Sequence, residues 1–184
     1  MNDPESQAQY IECYNSFDKE MVKHIPNKLP NNQISHGWAP PKYIDEIGNY
    51  AGIHLLTKIT SKNKYSESKT RLTKNAKHIG ISTDKCYLIV KTYGELLNSD
   101  INTNCKEFFP VPQYAVYASG DYDTKWSRQE NSVVAILDCK PGDYLNRKKM
   151  KSKESMPVQW KNGYTKGYTF NDKEQTIMYW LIIW

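Results

Sequence analysis

The chain has no C-x-x-C pair. Cys13, Cys86, Cys105 and Cys139 lie far apart, which leaves zinc-ribbon and thioredoxin-like readings without support. No apolar run approaches the roughly 20 residues that a transmembrane helix needs. Neither G-x-x-x-x-G-K nor G-x-G-x-x-G occurs, so no loop of known type is built to cradle phosphates, and no G-x-S-x-G elbow offers a hydrolase serine. The four histidines, His24, His36, His54 and His78, show no H-x-x-x-H or H-E-x-x-H spacing, which gives helical metal chelation no footing. The expectation is therefore that the chain takes no metal and no cofactor. Arginine is scarce, 3 residues against 22 lysines, which weakens any claim to bidentate recognition. The polar first ten residues lack the basic start and apolar segment of a signal peptide. Two locations fit: an exported, envelope-type protein whose leader has been removed, or a cytoplasmic one.

What the chain does have is aromatic bulk, with 14 Tyr and 5 Trp, and one dense apolar run from Ile177 to Trp184. Its β-branched and aromatic residues favour a strand. Alternation would send Met178, Trp180, Ile182 and Trp184 to one face and Ile177, Tyr179, Leu181 and Ile183 to the other. Both faces are apolar, so this is read as a central strand covered on both sides.

Around it, residues 1–15 read as a polar N-terminal arm and residues 16–184 as a single α+β domain. A short helix capped by Ser16 buries Phe17, Met21, Val22 and Ile25, with His24 as a helix-end cation. Pro26 to Pro41 holds four of the nine prolines and reads as an irregular loop pinned by Trp38. A strand over 51–60, a helix over 63–79 closed by Gly80 and a strand over 86–93 suggest a crossover between parallel strands. Strands follow over 114–118 and 131–138. The segment 164–170 and the final run make a hairpin across Asn171 to Glu174. The sum is a mostly antiparallel sheet of six or seven strands with two or three helices packed on it. Cys86 and Cys139 fall in apolar runs, as buried thiols do. Cys105 lies in a loop, and one disulfide is open to an exported chain.

The most distinctive polar segment is Asn146 to Lys153, where Arg147, Lys148, Lys149, Lys151 and Lys153 place five positive charges in seven residues. With Trp126, Trp160 and Tyr164 near in sequence, it reads as a patch of cations beside aromatic platforms. Such a patch suits an acidic glycan, an acidic protein surface or single-stranded nucleic acid. The leading expectation is a non-enzymatic binding module that contacts an anionic or carbohydrate-like partner there. One alternative is a hydrolase built on loop residues His36, Asp121 and Asp123. Another is non-specific binding of single-stranded nucleic acid.

Overall fold

The computed structural model describes residues 3–43, 50–92, 105–118, 127–130, 132–145 and 156–184. It is an α+β domain organised on a six-stranded antiparallel sheet of order β1-β2-β10-β9-β8-β3. These strands are β1 (Gln33–Ala39), β2 (Ala51–Lys58), β3 (His78–Ile81), β8 (Ser132–Pro141), β9 (Gly163–Asn171) and β10 (Thr176–Ile183). Two smaller pairs complete the strands among the described residues: parallel β4 (Tyr87–Val90) with β5 (Phe109–Pro112), and antiparallel β6 (Tyr117–Ala118) with β7 (Ser127–Arg128). Among the described residues the α-helices are α1 (Pro4–Asn15), α2 (Lys19–Val22), α3 (Lys62–Thr73) and α4 (Gln113–Val116).

The final apolar run is the central strand, as the sequence predicts, and its two faces bury as alternation requires. Leu181 and Ile183 join Ile53 and Leu55 of β2 under Tyr10 and Cys13 of α1 and Val22 of α2. Further along the same face, Ile177 packs with Tyr168, Phe170 and Tyr65 of α3. On the opposite face Trp180 meets Tyr87, Val111, Ala115 and Val134, while Ile182 and Trp184 pack on Leu88, Val90 and Met156. Helices α1, α2 and α3 thus cover one face, and the β4–β5 pair with α4 covers the other. The buried indole N–H groups are satisfied: Trp180 donates to Thr169 Oγ1 at 3.2 Å and Trp184 to the Trp160 carbonyl at 2.9 Å.

Several local expectations change. Residues 4–15 are not a polar arm but the helix α1. Asp3 caps it by accepting from the Ser6 amide at 3.0 Å, and Tyr10 and Cys13 are buried in the core. The cap of α2 is Asp18, which accepts from the Glu20 amide at 2.7 Å, rather than Ser16. Within the predicted loop, Gln33 to Ala39 forms the edge strand β1, because Pro30 and Pro40 fall outside its ends and never interrupt its ladder to β2. Trp38 does pin this segment, packing edge-on to Tyr10 with centroids 6.2 Å apart.

Helix α3 stops at Thr73, and Ile79 and Gly80 belong instead to β3, paired with Ala135 and Val134. Strand β3 runs in the same direction as β2 but is separated from it by β10, β9 and β8, so α3 makes its crossover over those three strands. The later strand β4 leaves the main sheet and pairs in parallel with β5. Residues 113–116, expected extended, form a single helical turn before β6. Cys86 is no free thiol: it is disulfide-bonded to Cys105, closing the loop that joins β4 to β5, while Cys13 and Cys139 are free. Among the described residues no helix is long and apolar enough to cross a membrane.

Candidate functional site

Strand β9 presents Tyr164, Lys166 and Tyr168 at alternate positions, so all three emerge on the helix-covered face. The neighbouring strand β8 would normally send Asp138 to the other face together with Ile136. A bulge between Ile136 and Asp138 shifts the register by one residue, so that Ile136 opposes Gly167 while Asp138 already opposes Lys166. The extra residue, Leu137, and Asp138 therefore both reach the helix side, and Lys140 follows opposite Tyr164. Helix α2 forms one wall of the resulting groove with Asp18, Glu20, Met21 and Lys23, together with His24 just beyond it. Helix α3 and its continuation form the other with Arg71, Leu72, Asn75 and Lys77. Tyr144 closes one end. The groove encloses about 910 Å³, within the size range of small-ligand sites.

At its floor Asp138 is held by two donors, the Lys77 ammonium at 2.5 Å and the Tyr164 hydroxyl. Burial opposes its ionisation, but these bonds outweigh burial and keep the carboxyl below its ordinary range. The same contact raises the Lys77 ammonium. Burial raises the Tyr164 phenol, and the bond to Asp138 raises it further. Lys166 is pulled down by burial, partly offset by Asp138, and donates to the Glu20 carbonyl at 2.6 Å. Burial also lifts Tyr168 to about 12.

His24 is not the cation expected at a helix end. Its Nε2 donates to the Trp180 carbonyl at 3.0 Å, its ring meets Tyr168 edge-on at 5.6 Å, and burial lowers it to about 4, so it is neutral at pH 7. Five cations line the groove against three carboxylates. Lys23 and Lys77 are engaged with Glu20 and Asp138, which leaves Arg71, Lys140 and Lys166 outside the ion pairs among the described residues, Lys166 being held by the Glu20 backbone carbonyl. The tyrosines stand edge to face: Tyr144 meets Tyr164 at 4.6 Å and 87°. Of these groove tyrosines, Tyr144 is the exposed one, at 38%. The arrangement offers cations for an acidic group, a partly exposed tyrosine, and carboxylate and hydroxyl groups that hydrogen-bond to hydroxyls.

Of the residues singled out in the sequence, Tyr164 belongs to this groove. Trp160 does not, because it lies on the other face, its ring 6.2 Å from that of Trp184. The other members of the expected patch, Trp126, Arg147, Lys148, Lys149, Lys151 and Lys153, and the alternative Asp121 and Asp123 lie outside the described residues. His36 sits on β1, stacked on Trp38 at 4.9 Å with Nδ1 2.9 Å from Gln33 Oε1. His36 opposes Leu55, whereas His54 opposes Gly37, so the two histidines occupy opposite faces of the sheet. His78 stacks on Phe109 at 3.9 Å. Among the described residues no group of three or more His, Cys, Asp or Glu side chains is placed to hold a metal ion. No protein-family model matches the chain, and comparison with curated proteins and with solved structures gave no match in either.

Proposed function

We propose that the chain is a non-enzymatic binding module whose groove between α2 and α3 holds an anionic, carbohydrate-like partner. The observation that carries this reading is the bulge that brings Asp138 onto the helix-covered face, in line with Tyr164 and the cations Lys77, Lys140 and Lys166. A floor of cations alternating with hydrogen-bond acceptors matches a ligand that carries both acidic groups and hydroxyls. The three carboxylates on the groove walls and floor disfavour a phosphodiester backbone, which offers negative charge and few donors. The edge-on tyrosines also do not provide the successive open ring faces on which bases stack. In the sequence the basic run Arg147 to Lys153 begins three residues after Tyr144, and Arg147, Lys148, Lys149, Lys151 and Lys153 belong to the proposed contact surface.

The test is calorimetric titration with uronic-acid and sulfated oligosaccharides beside their neutral counterparts. Acidic sugars should bind and neutral ones should not. The double variant Arg71→Glu, Lys140→Glu should weaken binding roughly a hundredfold, since two favourable charge contacts become repulsive. Reversal of Lys148, Lys149 and Lys151 should weaken it further. Binding that ignores all of these changes, or no binding to any acidic sugar, rejects the reading.

A further inference from the structure

On the far side of α2 lies a second cleft of about 660 Å³, lined by Ile11, Tyr14, Asn15, Phe17, Lys19, Lys23, Asn27 and Lys28. Three of these residues are lysines and none is a carboxylate. Its apolar wall comes from α1 and the turn after it, where Ile11 is 37% exposed although the helix packs its Tyr10 inward. Lys23 lines this cleft and the first groove alike. Residues of α2 and its two ends line both hollows, with Glu20 and Met21 on the groove, Lys19 on the cleft and Lys23 on both. Cations are spread from Lys140 and Lys166 on one side, through Lys23, which pairs with Glu20, to Lys19 and Lys28 on the other, while Asp18 and Glu20 border the first groove alone.

We infer that the ligand is a linear acidic polysaccharide that crosses α2 at Lys23 and occupies both clefts, rather than a single sugar or a compact anion. This rests on the binding reading above and adds length and direction to it. A small anion would be satisfied by one cluster of charge, and the second cleft, with lysines and no acids, would have no counterpart. A chain with acidic groups along its length would have Lys140 and Lys166 in the first groove and Lys19 and Lys28 in the second cleft, with Lys23 between them. Its sugar rings have Tyr144 beside the first groove and the partly exposed Tyr14 beside the second cleft. Linked occupancy turns the second contact into an intramolecular event, so affinity should rise with ligand length until the path is filled.

The experiment compares a uronic-acid disaccharide with a graded series of longer oligomers on the full chain. Wild type should bind the longest oligomer at least tenfold more tightly than the disaccharide. The surface variant Lys19→Glu, Lys28→Glu should lose that gain while binding the disaccharide as wild type does. Circular dichroism and the unchanged disaccharide affinity together report that the variant is folded. Equal affinity at all lengths, or a length gain that survives in the variant, overturns the inference and leaves the groove reading standing. Failure of every oligomer, disaccharide included, overturns both. A single-stranded oligonucleotide of matched length that binds as tightly as the longest sugar would overturn the assignment to polysaccharide.

Discussion

The indole of Trp180 covers Gly167, its directly paired neighbour on β9, so closely that a Cβ on the glycine would lie 2.9 Å from Trp180 Cζ2. The pattern recurs at the far end of the same strand, where Trp184 covers Gly163 and a Cβ there would lie 3.1 Å from Trp184 Cζ2. It is found again between β1 and β2, where the His54 ring fills the space above Gly37. Each glycine gives up its own side chain so that a large ring can lie against the backbone, a device that pins strand register.

Gly167→Ala should therefore be severe. The added methyl would sit 2.2 Å from the Ala135 carbonyl oxygen as well as against Trp180, and the ladder between β8 and β9 cannot yield without losing pairing. A loss of about 3 kcal/mol is expected from denaturant unfolding. Gly37→Ala should cost less, because what it meets is the His54 side chain at 2.5 Å rather than backbone. Equal losses would contradict this difference.

Two partly buried histidines, His24 and His54, set one window of pH dependence. Burial lowers His24 to about 4 and His54 to about 4 as well, against an unfolded value near 6.5. Between those values the unfolded chain binds more protons than the folded one, so stability must fall as pH drops from about 6.5 to about 4. His54→Gln removes one of the two groups. Its stability profile, measured as the denaturant midpoint against pH, should be flatter in that interval than that of wild type. Parallel profiles would show that His54 does not titrate in this way.

Asp138 acts in a lower window. Its carboxyl is depressed in the folded state, so its contribution is complete above the unfolded value of about 3.9 and disappears as pH falls through the folded value. Asp138→Asn should cost about 1–2 kcal/mol at pH 7, because the Lys77 and Tyr164 contacts lose their charged partner. That difference from wild type should shrink toward zero as pH falls through the folded value. A deficit that persists unchanged into strong acid would assign the loss to packing instead.

Peptide mapping without reductant should recover Cys86 and Cys105 in one linked peptide and Cys13 and Cys139 as free thiols. Replacing both linked cysteines with serine should lower stability by about 3 kcal/mol, as for a bridge closing a loop of this length. The β4–β5 pair, which covers Trp180 and Trp184, should be the region whose amide protection falls most.

The sequence reveals the central strand because eight successive apolar residues can be satisfied only between two covered faces. The final hairpin is legible for a related reason: its polar turn separates two β-rich runs. The end of α3 is not legible, because Ile79 extends the helical stripe of Tyr65, Leu72 and Ala76. Pairing with Ala135 decides its conformation, and that partner lies more than fifty residues away. Helix α1 carries a clear start in Asp3-Pro4-Glu5, yet its buried stripe is little more than Tyr10 and Cys13, too thin to stand out from a polar arm. The groove has no local signature. It joins residues from 18 to 168, and one of its members, Asp138, faces inward only because of a bulge that no periodicity announces. The one sequence signal for it is the alternation of Tyr164, Lys166 and Tyr168.

The position of β10 in the sheet has a kinetic consequence. In the order β1-β2-β10-β9-β8-β3, the pair β1–β2 is hydrogen-bonded to the remaining strands through β10, whose Ile183 opposes Ala51. The hairpin of β9 and β10 closes locally, but its junction with β2 must close a loop of well over a hundred residues. That junction is the slow, high-contact-order event of folding. A chain in which that junction is open would present the unpaired edges of β2 and β10 to other molecules.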